Sequence, residues 1–121
     1  MVPIEILTVR DPITLEVLAP LARQWHGMLV KGVADCGREL LALGGEWHMD
    51  ANNVLIADGS KQEDLWGFNI YPKERGRDAL EFISLVNIRP QQGNRGMEIQ
   101  DEAVRGKIAE LIRRFIPALT I

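Results

Sequence analysis

The stretch that decides the fold is Gly59-Ser-Lys-Gln-Glu-Asp-Leu-Trp-Gly-Phe-Asn-Ile-Tyr-Pro72. It begins as a charged polar loop and continues without a break into a segment where Trp66, Phe68 and Ile70 alternate with other residues. Alternation with a period of two predicts a strand that buries one face. Residues 80–89 alternate in the same way, so they predict the second strand of a hairpin.

Two polar loops flank this hairpin at one end, residues 59–64 before the first strand and residues 90–98 after the second. Mobile polar residues on a rigid scaffold are a common way to build a binding site. A register that buries the apolar face leaves Asn69, Asn87 and Arg89 together on the other face. The residues that we expect at the site are Lys61, Gln62, Asn69, Asn87, Arg89, Asn94 and Arg95.

The second loop indicates the type of ligand. Arg89-Pro-Gln-Gln-Gly-Asn-Arg-Gly96 combines guanidinium groups, amides and glycines, which together donate hydrogen bonds to carboxylate or phosphate groups. The alternative is a polar loop whose arginines pair with Glu63, Asp64 or Glu98. The sequence leaves both interpretations open.

The rest of the chain predicts a simple order of elements. A strand is expected from Pro3 to Val9, then a helix that either kinks at Pro20 or becomes regular only near Ala19, two strands over 28–35 and 39–43, and a short helix over 51–57. The last helix shows the clearest apolar stripe, with Asp101 as its cap; the stripe contains Val104, Ile108, Leu111, Ile112 and Phe115. The order β-α-ββ-α-ββ-α predicts one α+β domain over residues 1–121 with an antiparallel-rich sheet.

One further group of residues is a candidate metal site. Glu46, His48 and Asp50 alternate with Trp47 and Met49, so an extended chain directs all three polar side chains to one side. Carboxylates and imidazole suit a divalent metal that activates water, as in a metal-dependent hydrolase. The interpretation that we favour is a solvated strand face with Asp50 as a helix cap. No metal or other cofactor is therefore predicted.

Composition limits the class of protein. The 121 residues carry a net charge of −3, which disfavours nucleic acid as a partner, although Trp66, Phe68 and Tyr71 offer stacking faces. The single cysteine, Cys36, is typical of a reducing compartment. Neither a membrane-length apolar run nor the features of a signal peptide are found, so we expect a cytoplasmic protein without a membrane partner.

Three motifs are similar to those of a known family: residues 59–67, the Asn-Ile-Tyr-Pro sequence at 69–72, and Asn-Ile-Arg-Pro-Gln-Gln-Gly-Asn-Arg at 87–95. Together they resemble a small prokaryotic family known as a domain of unknown function, from about Met28 into the last helix. The resemblance implies no activity, but it implies that the two polar loops belong together. We therefore expect a binding module whose two loops take a protein partner or a small anionic ligand, with the metal-dependent hydrolase as the alternative.

Overall fold

The computed structural model describes residues 5–121. Within this range one antiparallel sheet has the strand order β1-β3-β2-β4-β5; the strands are β1 Ile6–Val9, β2 Val30–Asp35, β3 Leu40–Gly44, β4 Leu65–Ile70 and β5 Leu80–Glu81. The helices are α1 Leu15–Leu18, α2 His48–Ala57 and α3 Glu102–Phe115. The α+β fold and the predicted order of elements are confirmed, while the predicted strand start at Pro3 lies outside the described residues.

Helix α3 packs on one face of the sheet and supplies the larger core. Its apolar stripe is buried at Ile108, Leu111, Ile112 and Phe115, as the periodicity predicts. Asp101 is the predicted cap, and its carboxylate accepts hydrogen bonds from the backbone N–H groups of Ala103 and Val104. The strand residues in this core are Val9, Val30, Ala34, Leu41, Leu43, Trp66, Phe68 and Ile70.

The helix predicted around Pro20 is divided. The regular α-helix ends at Leu18, and a 3₁₀-helix continues from Ala19 to Trp25. Proline lacks the N–H group that an α-helical interior requires and crowds the preceding turn, which accounts for the change. Of the helices in residues 5–121, none has both the length and the apolar composition needed to cross a membrane.

Helix α2 packs on the opposite face of the sheet, where Ala51 and Leu55 join a second apolar cluster. The prediction that residues 46–49 continue as an extended strand was wrong from His48 onward, because the helix begins there. Asp50 lies inside the first turn, and its carboxylate accepts a hydrogen bond from the Trp47 N–H group (3.0 Å). The carboxylate therefore caps the helix by reaching back from within it.

The second strand of the predicted hairpin, expected over residues 80–89, is much shorter than predicted. In the described chain, pairing with β4 is confined to Leu80 and Glu81. The backbone then turns toward the segment before α3, and the Ser84 N–H group donates to the Met97 carbonyl (3.1 Å). A 3₁₀-turn over Leu85–Asn87 follows and crosses β4 at Gly67, where a Cβ atom would lie 2.6 Å from the Ser84 Cβ atom. This close crossing requires glycine in β4.

Candidate functional site

The two polar loops meet at one end of the sheet, and we call residues 59–65 and 85–98, which include the segment that enters the second loop, the two-loop surface. Nη1 of Arg89 donates a hydrogen bond to the Gln62 carbonyl (2.6 Å), and Nη2 donates to the Leu65 carbonyl. The amide of Gln92 donates to the Glu63 carbonyl (3.0 Å). All three bonds reach from the second loop to the backbone of the first, so the structure holds the two loops as one unit.

The side chain of Arg89 links the two loops. Its guanidinium carbon lies 3.8 Å from the centre of the Trp66 ring, a stacked cation–π contact. Burial lowers the pKa of Arg89, an effect that Cys36 and Asp64 oppose, yet arginine stays charged at neutral pH. In the described chain no carboxylate forms an ion pair with it, and its buried Nε atom has no hydrogen-bond partner. Hydrogen bonding and stacking, rather than charge pairing, hold this side chain.

Asn87 extends the sheet with its side chain. The Asn87 Oδ1 atom accepts a hydrogen bond from the Gly67 N–H group (2.7 Å), and Nδ2 donates to the Gly67 carbonyl (3.0 Å). Nδ2 also donates to the Met97 carbonyl (3.1 Å). The amide thus pairs with β4 as the backbone of a neighbouring strand does, and it is fully buried.

Asn94 and Asn69 have similar internal roles. Asn94 is buried and ties its loop together by donating to three carbonyl groups, those of Asn87, Gly96 and Glu98. Asn69 is also buried and donates to Glu81 and to the Ile83 carbonyl. The strand face that was predicted to gather Asn69, Asn87 and Arg89 does not form, because the chain leaves β4 after Glu81. Direct contact between these amides and a ligand stays a prediction.

The other predicted site residues lie nearer the solvent. Lys61 and Arg95 are exposed, and within residues 5–121 neither has an ion-pair partner. The side chain of Gln62 forms a reciprocal pair of hydrogen bonds with the buried Asn52 of α2, both 2.8 Å long. Gln62 therefore links the first loop to α2, while Lys61 and Arg95 supply accessible charge.

A pocket of about 310 Å³ lies beside the joined loops. Its lining includes the carboxylates of Glu63, Asp64 and Asp101, and no lysine or arginine is part of it. Cys36 also lines the pocket, and burial, with a contribution from Asp35, raises the pKa of its thiol to about 11. The thiol is thus protonated at neutral pH and is not a ready nucleophile.

Large apolar side chains are exposed on the segments that enter and leave the second loop. Leu85 is 70% exposed, and Ile88 and Met97 are 41% and 42% exposed. Single exposed apolar residues are ordinary on protein surfaces, but three on the segments that flank one loop favour an interaction site. These residues were not predicted as part of the site, because Leu85 and Ile88 were assigned to a strand.

The arrangement needed for the metal-dependent hydrolase does not form. Helix α2 begins at His48, so Glu46, His48 and Asp50 do not share a strand face. The Asp50 carboxylate is used as a helix cap. Across residues 5–121, no group of three or more histidine, cysteine, aspartate or glutamate side chains is placed to hold a metal ion.

His48 instead belongs to a half-buried polar network on the α2 face of the sheet. Its Nε2 atom lies 2.9 Å from the Phe68 carbonyl and 2.8 Å from Asn69 Oδ1. Both partners accept hydrogen bonds, so Nε2 carries the proton. Burial is the main cause that lowers the pKa of His48, and the charge of Lys31 lowers it further. The imidazole is therefore neutral at physiological pH.

The same network contains residues that were not predicted from the sequence. Lys31, Asn69 and Glu81 lie directly opposite one another on β2, β4 and β5. The ammonium group of Lys31 lies 4.3 Å and 5.1 Å from the ring centres of Trp25 and Trp47. One signal was present in the sequence, since Lys31 is a lone charge in the apolar run from Met28 to Ala34.

Comparisons with known proteins identify the family. A family model described as a protein of unknown function, DUF5674, matches residues 7–115. The match covers most of the chain, so this protein belongs to that family, and the resemblance inferred from the loop motifs is confirmed. No curated protein and no solved structure matches the chain.

Proposed function

We propose that this protein is a cytoplasmic binding module whose two-loop surface docks a protein partner. The observation that carries the proposal is the joining of two polar loops by the half-buried Arg89, with hydrogen bonds to the Gln62 and Leu65 carbonyls. A surface that is ordered before binding loses less conformational entropy on association. The free thiol of Cys36 is consistent with a reducing compartment.

The composition of the surface favours a protein partner. Leu85, Ile88 and Met97 supply exposed apolar area, and Lys61 and Arg95 add accessible charges. Apolar contacts with polar residues around them are the usual anatomy of a protein interface. In this proposal the predicted site residues Gln62, Asn69, Asn87 and Asn94 act by holding the surface in shape.

A small anionic ligand is less well supported. Arg89 already donates to backbone carbonyls and to Gln92, so its guanidinium is not free to clamp an anion from solvent. The carboxylates of Glu63, Asp64 and Asp101 line the adjacent pocket and repel negative charge. On this surface Lys61 and Arg95 are exposed, so an anion can reach them.

The test uses the tagged full chain, purified from its own cells with the proteins that accompany it. The variant Leu85→Glu/Ile88→Glu places charge in the apolar part of the surface. Met28→Glu is the matched control, because Met28 is 64% exposed and precedes the opposite end of β2. We expect at least one partner to be depleted about tenfold or more in the double variant, a change of about 1.4 kcal/mol, and retained by Met28→Glu. Equal recovery by all folded variants would count against the proposal.

A second measurement separates a protein partner from a small anion. Melting temperatures in sulfate and in chloride at equal ionic strength are compared for the wild type, Arg95→Ala and the exposed control Arg75→Ala. Sulfate strengthens hydrophobic burial in any protein, so we expect the same response from all three. If sulfate stabilises the wild type specifically and this effect is lost in Arg95→Ala alone, the surface binds a small anion rather than a protein partner.

A further inference from the structure

The two edges of the sheet differ in how they are covered. Where β5 ends, the chain pairs with the segment before α3, since Ile83 and Glu98 form a bridge and the Ile99 N–H group donates to the Phe82 carbonyl (3.0 Å). At the opposite edge, β1 pairs with β3 along its inner side. In the described chain, no other backbone group bonds to β1. Its outer side is therefore an open edge.

The sequence of β1 lacks most of the features that protect an edge strand. Apart from being short, protected edges commonly carry a lysine, a proline or a bulge. The strand Ile6-Leu-Thr-Val9 has no charged residue and no proline, and its pairing with β3 is continuous. In an antiparallel ladder, every second residue turns its N–H and carbonyl groups away from the neighbouring strand. An apolar strand with such unpaired groups accepts a further strand.

The side chains of β1 reach both apolar clusters of the protein and are left partly uncovered. Leu7 packs against the core under α3, and Ile6 packs against the cluster under α2. Both are half-buried, as is Thr8, which shares the α2 face with Ile6 because alternate residues point to the same side. Each cluster therefore ends at β1 with surface that a neighbouring strand would cover.

We propose that the partner at this edge is a second copy of this chain, whose β1 pairs with β1 in an antiparallel dimer of two-fold symmetry. The axis lies perpendicular to the sheet and places one residue of β1 opposite the same residue of the other copy. With Thr8 on the axis, Leu7 of one copy lies opposite Val9 of the other on the α3 face. Pairs of threonines and pairs of apolar residues are both favourable between strands. The strand is thus complementary to itself, and the two five-stranded sheets become one.

A shift of the axis to Leu7 gives poorer pairs. The exposed Glu5 then lies opposite Val9, whose side chain is buried, so a carboxylate faces an apolar residue. With Thr8 on the axis, Glu5 lies beyond the paired segment. Thr8 is therefore the residue that we expect to face itself in the dimer.

Sedimentation velocity of the full chain tests this dimer. As the concentration is raised about a hundredfold, we expect the weight-average mass of the wild type to rise from that of one chain toward that of two. Thr8→Lys and Thr8→Glu each place like charges opposite one another on the axis, which is destabilising between strands. Each variant alone should therefore stay monomeric. An equimolar mixture of the two should associate again, because the axis then joins opposite charges.

The matched control is Asn53→Lys, which adds the same charge at an exposed position of α2 and should associate as the wild type does. If a Thr8 variant fails to fold, amide exchange in the wild type decides. An outward amide of β1 should exchange about tenfold more slowly at high than at low concentration, while the amides of β5 keep their rates. A monomeric wild type, association that survives in both Thr8 variants, a mixture that stays monomeric, or equal loss in Asn53→Lys would each overturn the proposal.

Discussion

The two faces of the sheet are held by different kinds of interaction. On the α3 face, fully buried side chains such as Phe68 and Ile112 pack against one another without directional bonds. On the other face, beyond the cluster under α2, buried amides bond to named backbone groups, as the half-buried Arg89 does at the end of the sheet. Apolar packing tolerates exchange among residues of similar volume, whereas each buried polar group needs its own partner.

The two kinds of interaction have different roles, because apolar packing stabilises the domain and the polar bonds set the conformation of the loops. Burial of apolar area on the α3 face stabilises the domain as a whole. The hydrogen bonds of the two-loop surface add little net stability each, because the unfolded chain makes the same bonds to water. They instead select one conformation for loops that have few apolar contacts of their own. Substitutions on the apolar face should therefore cost more stability than substitutions among the polar groups.

The largest effect should come from the α3 face. Ile112→Ala removes a fully buried side chain and leaves a cavity, so we expect a loss of about 2–5 kcal/mol in the free energy of unfolding. Ile56→Ala is the matched control, because Ile56 is 40% exposed on α2 and should lose about 1 kcal/mol or less. Urea denaturation measures both. Similar losses for the two variants would mean that α3 does not supply the main core.

A smaller effect should come from the polar face. Asn87→Ala leaves the buried N–H and carbonyl groups of Gly67 without the partners they have in the wild type. An unsatisfied buried group costs about 1–3 kcal/mol, and we expect a loss in that range. Asn53→Ala, at an exposed position of α2, should change stability by about 0.5 kcal/mol or less. If Asn87→Ala is as mild as its control, the amide is not a substitute for a strand.

The smallest effect concerns pH. Burial lowers the pKa of His48 in the folded protein below its ordinary value of 6.5, so the unfolded chain binds a proton more readily than the folded one. The stability that neutral His48 contributes is fully present at pH values above 6.5. It decreases as the pH falls from there toward the pKa of His48 in the folded protein. Urea denaturation at pH 8 and at pH 5.5 measures the difference. His48→Gln should lose less stability between these pH values than the wild type, and an equal loss would contradict the assignment.

The periodicity and composition of the sequence were sufficient to predict the apolar face of the sheet. The stripe on α3 and the alternation in β4 depend on local spacing, so the helix, the strand and their buried sides follow from the sequence. The break at Pro20 follows from the chemistry of proline. These features require no knowledge of a distant partner.

The polar contacts could not be predicted in this way, because they depend on residues that are distant in the sequence. Residues 82–89 alternate like a strand, but Ser84 caps a turn and Asn87 takes the place of strand backbone against Gly67. Neither bond has a sequence signature. The Ser84 bond is a local choice between competing partners, and the Asn87 bonds depend on a partner more distant than a helical or strand repeat. For the same reason Arg89 was predicted among the site residues, while its bonds to the first loop were not.

Amide hydrogen exchange tests most directly whether Arg89 joins the two loops into one surface. The reporters are the Asp64 N–H group, bonded to the Lys61 carbonyl in the first loop, and the Asn94 N–H group, bonded to the Arg89 carbonyl in the second. In Arg89→Ala both amides should exchange about tenfold faster or more, since local opening becomes easier, while the Ile112 amide of α3 keeps its rate. Arg95→Ala, the control in the same loop, should change neither. Faster exchange in one loop alone, or in neither, would contradict the claim.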